Sequence, residues 1–324
     1  MKNIMRLQQL RYLREIVNKN LNLSKAAESL HTSQPGISRQ IQLLEEELGV
    51  DIFVRNGKRI VKITPPGEVI VEIAEKMLKD VENLKQISQE FSDKASGTLI
   101  IATTHTQARY ALPPVIKRFT EKYPKVKLIL RQGNPTQIST LVSSGEADLA
   151  IATEAIELFQ ELVMLPCYQW NRSIIVTPKH PLLKQHPLTL EAIAQYPIIT
   201  YDFAFTGRSK INQAFASKGL TPNVVLTAID ADVIKTYVEL GLGIGILAKM
   251  AFDTHRDKHL RAIDASHLFE PSTTRIGISR NSYIRSYIYD FIEMFAPHLD
   301  EATVKAAMKN QLITPAQDTP QTIK

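Results

Sequence analysis

One cysteine, Cys167, stands in the whole 324-residue chain. A single thiol excludes an internal disulfide and a cysteine-based metal cluster, agrees with a reducing compartment, and leaves the residue as a small core filler. Long apolar runs are also scarce: Lys, Asp or Pro interrupts them, and none approaches the roughly 18 residues that a membrane-spanning helix needs. No export signal is legible, because Arg6, Gln8, Gln9, Arg11 and Arg14 break up the N-terminal segment, and a cytoplasmic location is expected. Catalytic signatures are missing too. His105, His180 and His186 lack the spaced partners of a zinc site, and neither a G-x-S-x-G elbow nor a phosphate-binding lysine loop occurs. The run GLGIG, Gly241 to Gly245, leads into ILA and is a turn before a strand, not a dinucleotide fingerprint. No enzyme, metal centre or resident cofactor is expected.

What is present begins with an uneven charge. Residues 1–64 hold 11 Lys or Arg against 6 Asp or Glu, a net of +5, whereas the remainder holds 28 against 27, a net of +1. A small basic segment joined to a larger near-neutral one points the first at a polyanion and the second at another task. With 44% hydrophobic residues the chain has material for more than one core.

Leu7, Leu10, Leu13, Ile16 and Val17 recur at helical spacing and predict a first helix ending near Asn18 to Asn22. Ser24 is the expected cap of a second helix, Lys25 to Leu30, in which Ala26 and Ala27 permit close packing. Thr32 and Ser33 offer caps for a third, running to about Leu48, where Pro35 is tolerated because early amides have no intrahelical partner. This helix carries Ile37, Ile41, Leu44 and Leu48 on one face and Gln34, Ser38, Arg39 and Gln42 on the other. A short helix, a tight turn and a helix with an amide, hydroxyl and guanidinium face is what reading a major groove requires, and its N-terminus at Ser33 favours a phosphate. DIFVRNGKRIVKIT then reads as two strands joined at Asn56-Gly57, a wing whose tip gathers Arg55, Lys58 and Arg59 for phosphates or a minor groove.

From Pro65 a long helix is expected, with Ile70, Ala74, Met77, Val81, Leu84, Ile87 and Phe91 forming a stripe suited to a coiled-coil seam between two copies of the chain. A homodimer would present two recognition helices to a two-fold site on double-stranded DNA.

From Thr98 strands alternate with helices. TLIIAT, VKLIL, ADLAIAT, SIIVT, YPIIT, VVLTA and GIGILA predict parallel sheet in two similar lobes, with the chain crossing near Pro166 and returning near Pro271 to add TRIGIS and a helix from Ser282 to Phe295. Ligands of such sheets lie beyond the carboxyl ends of the strands. Three loops there carry similar chemistry: Thr104, Thr106 and Gln107 in THTQARY; Thr153 after ADLAIA; and Thr206, Gly207 and Ser209 in TYDFAFTGRS. Hydroxyls, an amide and backbone N–H groups at helix starts suit a compact oxyanion, although each Thr is also a plain cap when taken alone. Arg109 and Arg208 either add charge or face solvent. Asp230 and Asp232 are helix caps with a ligand role as the alternative, and Trp170 packs near the lobe junction with ligand contact as its alternative. The expected division is residues 1–64, winged helix-turn-helix; 65–94, linker helix; 98–165 with 272–297, first lobe; 166–271, second lobe; and 298–324, a polar tail without an assigned role.

Several runs resemble a known family. TSQPGISRQ, followed by LEEELGVDIFVRNGKR, is similar to the recognition helix and wing of the LysR-type transcriptional regulators, and the likeness extends from Leu7 to about Leu299. ATTHTQARY, LPCYQWNRSI, FTGRS and DADVIKTYVELGLG resemble the branch that governs sulfur assimilation. The resemblance implies a periplasmic-binding-protein-like α/β effector domain and a homotetrameric activator working with RNA polymerase on promoter DNA. It further implies acetylserine-type inducers opposed by sulfate or thiosulfate. Carried onto this chain, it places Thr104, Thr106, Gln107, Thr153 and Thr206 around the anion and Gln34, Pro35, Ser38, Arg39 and Arg55 at the DNA. A sister branch that answers to another sulfur metabolite shares ATTHTQARY; FTGRS and LPCYQWNRS favour the first. The rivals of other classes are a solute-binding protein, which leaves the basic segment superfluous, and an enzyme, for which no convincing acid and base pair is present.

Overall fold

The structure, a computed structural model, describes residues 5–57, 59–92, 95–153, 161–202, 207–280 and 282–309. Met1 to Ile4, Lys58, Thr206 and the tail beyond Lys309 lie outside the described residues. The chain divides into two compact units, residues 1–88 with 281–283 and residues 89–280 with 284–324.

The first unit opens with α1 (Leu7–Asn18), α2 (Leu23–Ser29) and α3 (Gln34–Leu48). Leu10, Leu13, Ile16, Ala26, Ile37, Ile41 and Leu44 close their shared core, as the apolar spacing predicts. The expected cap of α2 is corrected. The helix begins at Leu23, which is buried, so that Asn22 is the cap and its side chain accepts from Lys25 N at 3.0 Å, leaving Ser24 exposed inside the helix. Leu48 is also exposed rather than buried with Ile37, Ile41 and Leu44. In the wing, β1 (Phe53–Asn56) pairs antiparallel with β2 (Arg59–Ile63). Asn56 faces Arg59 and so belongs to the strand rather than to the turn as expected, and Gly57 has φ 60°, where a side chain would be strained.

Helix α4 (Pro65–Ser92) follows. A Cβ on Gly67 would meet the carbonyl oxygen of Ile52 at 2.2 Å, and this close approach seats the start of the helix against the wing. The stripe expected as one seam divides into two faces. Ala74 joins Val71 and Leu78 in the core of the first unit, whereas Met77 and Leu84 stand exposed with Val69 and Ile73.

The second unit holds two five-stranded sheets. The first has the order β4-β3-β5-β12-β6, built from β3 (Ser96–Thr103), β4 (Lys125–Gln132), β5 (Leu149–Thr153), β6 (Leu162–Trp170) and β12 (Ser272–Ser279). Strands β3, β4 and β5 are parallel, and the returning β12 runs antiparallel to β5 and β6. Helices α5 (Leu112–Lys122) and α6 (Pro135–Ser143) connect its parallel strands. A π-helical turn, Gln107–Ala111, precedes α5.

The second sheet has the order β11-β7-β10-β8-β9, from β7 (Arg172–Val176), β8 (Ile198–Tyr201), β9 (Val224–Ala228), β10 (Ile244–Ala248) and β11 (Arg261–Asp264). Helices α7 (Leu190–Ile193), α8 (Gly207–Ser217) and α9 (Ala231–Glu239) accompany it. Strands β8, β9 and β10 are parallel and β7 is antiparallel to both of its neighbours, so each sheet is mixed where an all-parallel sheet was expected.

The lobe boundary also moves. Pro166 lies within β6 of the first sheet, opposite Arg275 and beside the bulge that Cys167 makes, where a missing N–H is tolerated; the chain crosses only at Asn171. The last helix of the expected lobe, α10 (Ser286–Phe295), starts four residues later than Ser282. The tail is corrected in part: α11 (Glu301–Lys309) buries Val304 and Ala307 in the first-lobe core.

Candidate functional site

Two sets of residues come together, one in each unit. In the first, Ser33 Oγ accepts from Gly36 N at 3.2 Å and caps α3, and Pro35 occupies the first turn where its missing donor costs nothing. With Ile37, Ile41 and Leu44 fully buried, the opposite face is directed outward: Gln34 and Ser38 are half-buried, and Arg39 and Gln42 are exposed. Arg39 meets Glu46 at 3.4 Å on the surface, a pairing weak enough to exchange for a phosphate or a base edge. Arg59 is exposed on β2.

Arg55 behaves differently from its neighbours. Its guanidinium turns onto Glu45, Nη2 to Oε2 at 2.7 Å, while Glu45 Oε1 accepts from Ile52 N at 2.8 Å and Phe53 N at 3.1 Å. Glu45 is buried on α3, so one carboxylate satisfies three donors and binds the third helix to the wing. The sequence reading missed this role for both residues; only an acid on the apolar side of α3 hints at it.

In the second unit, the strand register collects the expected polar residues. Thr153 at the end of β5 faces Thr274 of β12, which in turn faces Tyr168 of β6, so three polar side chains stand in a row across the sheet. Gln107, on the π-helical turn after β3, reaches into that row. Its Nε2 donates to Thr274 Oγ1 at 3.0 Å, and the Tyr168 hydroxyl donates to its Oε1. Trp170 Nε1 donates to the same Thr274 oxygen at 3.2 Å, and the hydroxyls of Thr153 and Thr274 lie 3.3 Å apart. Burial holds the Tyr168 phenol well above its ordinary range. Thr104, immediately after β3, is buried, and Thr106 is half-buried at the start of the following turn. Gly207 opens α8, and Arg208 is buried with its Nε donating to Asn212 Oδ1 at 2.9 Å. Thr206 is not among the described residues, so its expected place beside this cluster is left to the sequence argument.

A second cluster bridges the lobes. Tyr110 of the π-helical turn donates to Asp232 Oδ1 at 2.7 Å, and Arg109 Nε reaches Asp232 Oδ2 at 3.2 Å. Lys235 approaches Asp232 at 3.1 Å and Asp257 at 3.0 Å, with its ammonium 5.4 Å from the centre of the Tyr110 ring. Burial and the hydrogen bond to Asp232 raise the Tyr110 pKa to about 12. Asp230 caps α9, accepting from Val233 N at 2.8 Å, as expected, whereas Asp232 serves the bridge. The side chains of His105, Asp230 and Asp232 bring ligand atoms within 4.8 Å of one another. Arg109 and Lys235 already neutralise Asp232, which disfavours a metal ion there. Thr274, Tyr168 and this bridge were not singled out from the sequence. Thr274 and Tyr168 acquire their partners only through pairings more than 60 residues apart in the chain.

A helix-turn-helix with a wing, followed by a two-lobed α/β unit with a buried donor-rich cluster, defines a ligand-responsive DNA-binding regulator as the class of protein. Residues 7–68 match the bacterial regulatory helix-turn-helix model of the lysR family, and residues 92–300 match the LysR substrate binding domain. The chain is 55% identical over 94% of its length to the HTH-type transcriptional regulator SsuR of Burkholderia cenocepacia, covering 99% of that protein. It is 54% identical to the HTH-type transcriptional regulator CysB of Haemophilus influenzae, over 94% of each chain. Among solved structures, the cofactor-binding domain of the Cbl transcriptional regulator matches at 47% identity with a TM-score of 0.64, covering 66% of this chain and 95% of that one. The chain belongs to the LysR family of bacterial transcriptional regulators.

Proposed function

We propose that this regulator binds promoter DNA of sulfur-assimilation and cysteine-biosynthesis genes, mainly as an activator, under the control of a small anionic metabolite held between the lobes. The observation that carries the proposal is the buried hydroxyl and amide cluster of Gln107, Thr153 and Thr274 at the strand ends, in a chain whose relatives include CysB. Donors without a paired cation suit a compact oxyanion, and an acetylserine-type inducer opposed by sulfate or thiosulfate offers such groups. Thr104, Thr106 and Thr206 complete the ligand's surroundings, with Trp170, Gly207 and Arg208 at its edge. Gln34, Ser38 and Arg39 read base edges, Ser33 and Pro35 present the helix N-terminus to a phosphate, and Lys58 and Arg59 follow the backbone. Arg55 supports the wing through Glu45. The exposed side chains of Val69, Ile73, Met77 and Leu84 on α4 pack against a second copy, two dimers make a homotetramer, and the assembly engages RNA polymerase in the cytoplasm.

A gel-shift titration with a sulfur-assimilation promoter tests this. Retardation is expected to favour that promoter over a scrambled duplex, to weaken with salt as phosphate contacts are lost, and to change with acetylserine or sulfate. Binding indifferent to DNA sequence contradicts the regulator; binding indifferent to every metabolite contradicts the sensing unit. The second reading, a Cbl-like regulator of alternative sulfur sources, has the lower identity, 46% to Cbl against 54% to CysB, and a response to neither sulfate nor acetylserine but to another sulfur metabolite selects it.

A further inference from the structure

We infer that Arg172 is a positioning residue of the effector site: from the second lobe it fixes the indole of Trp170 in the first, and so holds the Thr274 hydroxyl in place for the ligand. The inference rests on the reading of the cleft as an anion site and deepens it.

Arg172 is the first residue of β7, directly after the chain crosses at Asn171, and it is 1% exposed. A guanidinium is seldom buried so completely unless its donors are engaged. Its Nη2 donates to Ser272 Oγ at 2.8 Å and its Nη1 to the carbonyl of Glu270 at 3.0 Å. Both acceptors lie where the chain returns to the first lobe, at the start of β12 and just before it. One side chain therefore ties the outgoing crossing to the returning one. The backbone strengthens the tie, since Ala265 N donates to Arg172 O at 3.2 Å.

Hydrogen bonds from two separate nitrogens fix the plane of the guanidinium. Its Cζ stands over the indole of Trp170, 5.2 Å from the ring centroid. Trp170 is also the residue opposite Ser272 in the pairing of β6 with β12, so Trp170, Ser272 and Arg172 form a closed triangle. From this position the indole Nε1 reaches diagonally along β12 and donates to Thr274 Oγ1 at 3.2 Å. Thr274 accepts from Gln107 Nε2 at 3.0 Å and stands 3.3 Å from the Thr153 hydroxyl. Arg172 is thus joined to the hydroxyl and amide cluster through one intermediary, Trp170. A lysine cannot take its place, because a single ammonium on a flexible stem offers neither the flat face nor the fork.

A double-substitution cycle on the full chain, with sulfate as the probe, tests the inference. Sulfate affinity is read by calorimetry, and the position of the indole by the emission and acrylamide quenching of Trp170, the single tryptophan of the chain. Arg172→Lys keeps the charge and is expected to weaken sulfate by about fivefold, the worth of one well-placed hydrogen bond. Its Trp170 emission shifts to the red and is quenched more readily, before any ligand is added. Ser272→Ala removes only the acceptor of Nη2 and is expected to act in the same direction, by about threefold. In a Trp170→Phe background no indole N–H remains to be positioned, so there each substitution is expected to cost nothing further. If Arg172→Lys fails to fold, the cycle with Ser272→Ala decides. A merely structural role predicts the same loss of sulfate affinity in both backgrounds, and that result overturns the inference. Unchanged sulfate affinity, or unchanged emission and quenching of Trp170, in the substituted proteins overturns it as well, while leaving the anion site in place. An unsubstituted protein that binds no sulfate removes the reading of the cleft, and the inference falls with it.

Discussion

Replacing Glu45 with alanine removes one acceptor from three donors at once. Ile52 N and Phe53 N, 2.8 and 3.1 Å from Oε1, lose their partner, and so does the Arg55 guanidinium 2.7 Å from Oε2. A buried amide left without an acceptor costs about 1–3 kcal/mol. Arg55 is one-quarter exposed and recovers much of its loss from water, so the two amides dominate. Taking a value near the lower end for each and a small remainder for Arg55, Glu45→Ala destabilises the first unit by about 3 kcal/mol. For a unit of this size that lowers the melting temperature by roughly 12–24 °C. Glu45→Gln retains an oxygen for the amides but presents an NH2 group to Arg55, and is expected to lose about half as much. The assay is hydrogen exchange on the full chain, read at Ile52 and Phe53, together with thermal unfolding. Exchange at those two amides should rise sharply in the alanine variant while the strands of the second unit keep their protection. The reasoning is refuted if both amides remain protected and the melting temperature is unchanged.

Four further outcomes follow from other parts of the structure. Tyr110→Phe deletes the hydroxyl that joins the lobes through Asp232 and is expected to weaken effector binding by about fivefold, read by calorimetry; tighter binding would show that the bridge opposes closure. Although burial raises the Asp232 pKa, the hydrogen bonds from Tyr110 and Lys235 and the charges of Lys235 and Arg109 outweigh it and hold the carboxyl below its ordinary 3.8. A depressed folded value means the stabilisation is full above 3.8 and is lost as pH falls through the lower folded value, so Asp232→Asn should flatten the acid limb of the melting profile. Cys167 is buried and its thiol is pushed up to about 12, so thiol reagents should label it at neutral pH only in denaturant; rapid labelling of the native protein contradicts the burial. Leu84→Glu places a charge on the exposed apolar face of α4 and should shift sedimentation toward smaller species without altering the helix content.

The local part of this architecture is legible in the residues, and the long-range part is not. Ser33 as a cap, Pro35 in the first turn and the inward spacing of Ile37, Ile41 and Leu44 are decided within a few residues of themselves. Where two residues compete for one local role the choice falls to packing. Asn22 displaces Ser24 as a cap because Leu23 is needed inside, and Asn56 joins the wing's strand opposite Arg59 instead of turning. Pro166 marks the expected crossing between lobes, yet β6 runs through it beside a bulge, which moves the lobe boundary to Asn171. The expected polar residues of the cleft follow from strand ends and loops. Thr274 does not, since its partners Gln107, Thr153 and Trp170 lie 167, 121 and 104 residues away. Helix α11 escapes notice because its buried face is held by residues as small as Val304 and Ala307.

The central claim is that the outward face of α3 discriminates base edges. Selection of bound duplexes from a randomised pool by the full-length protein measures it directly, repeated with Gln34→Ala and Arg39→Ala. The account predicts enrichment of one two-fold-related motif by the unsubstituted protein and relaxed preference at particular positions of that motif in each variant. An unenriched pool, or variants that select the same motif as sharply as the parent, contradicts it.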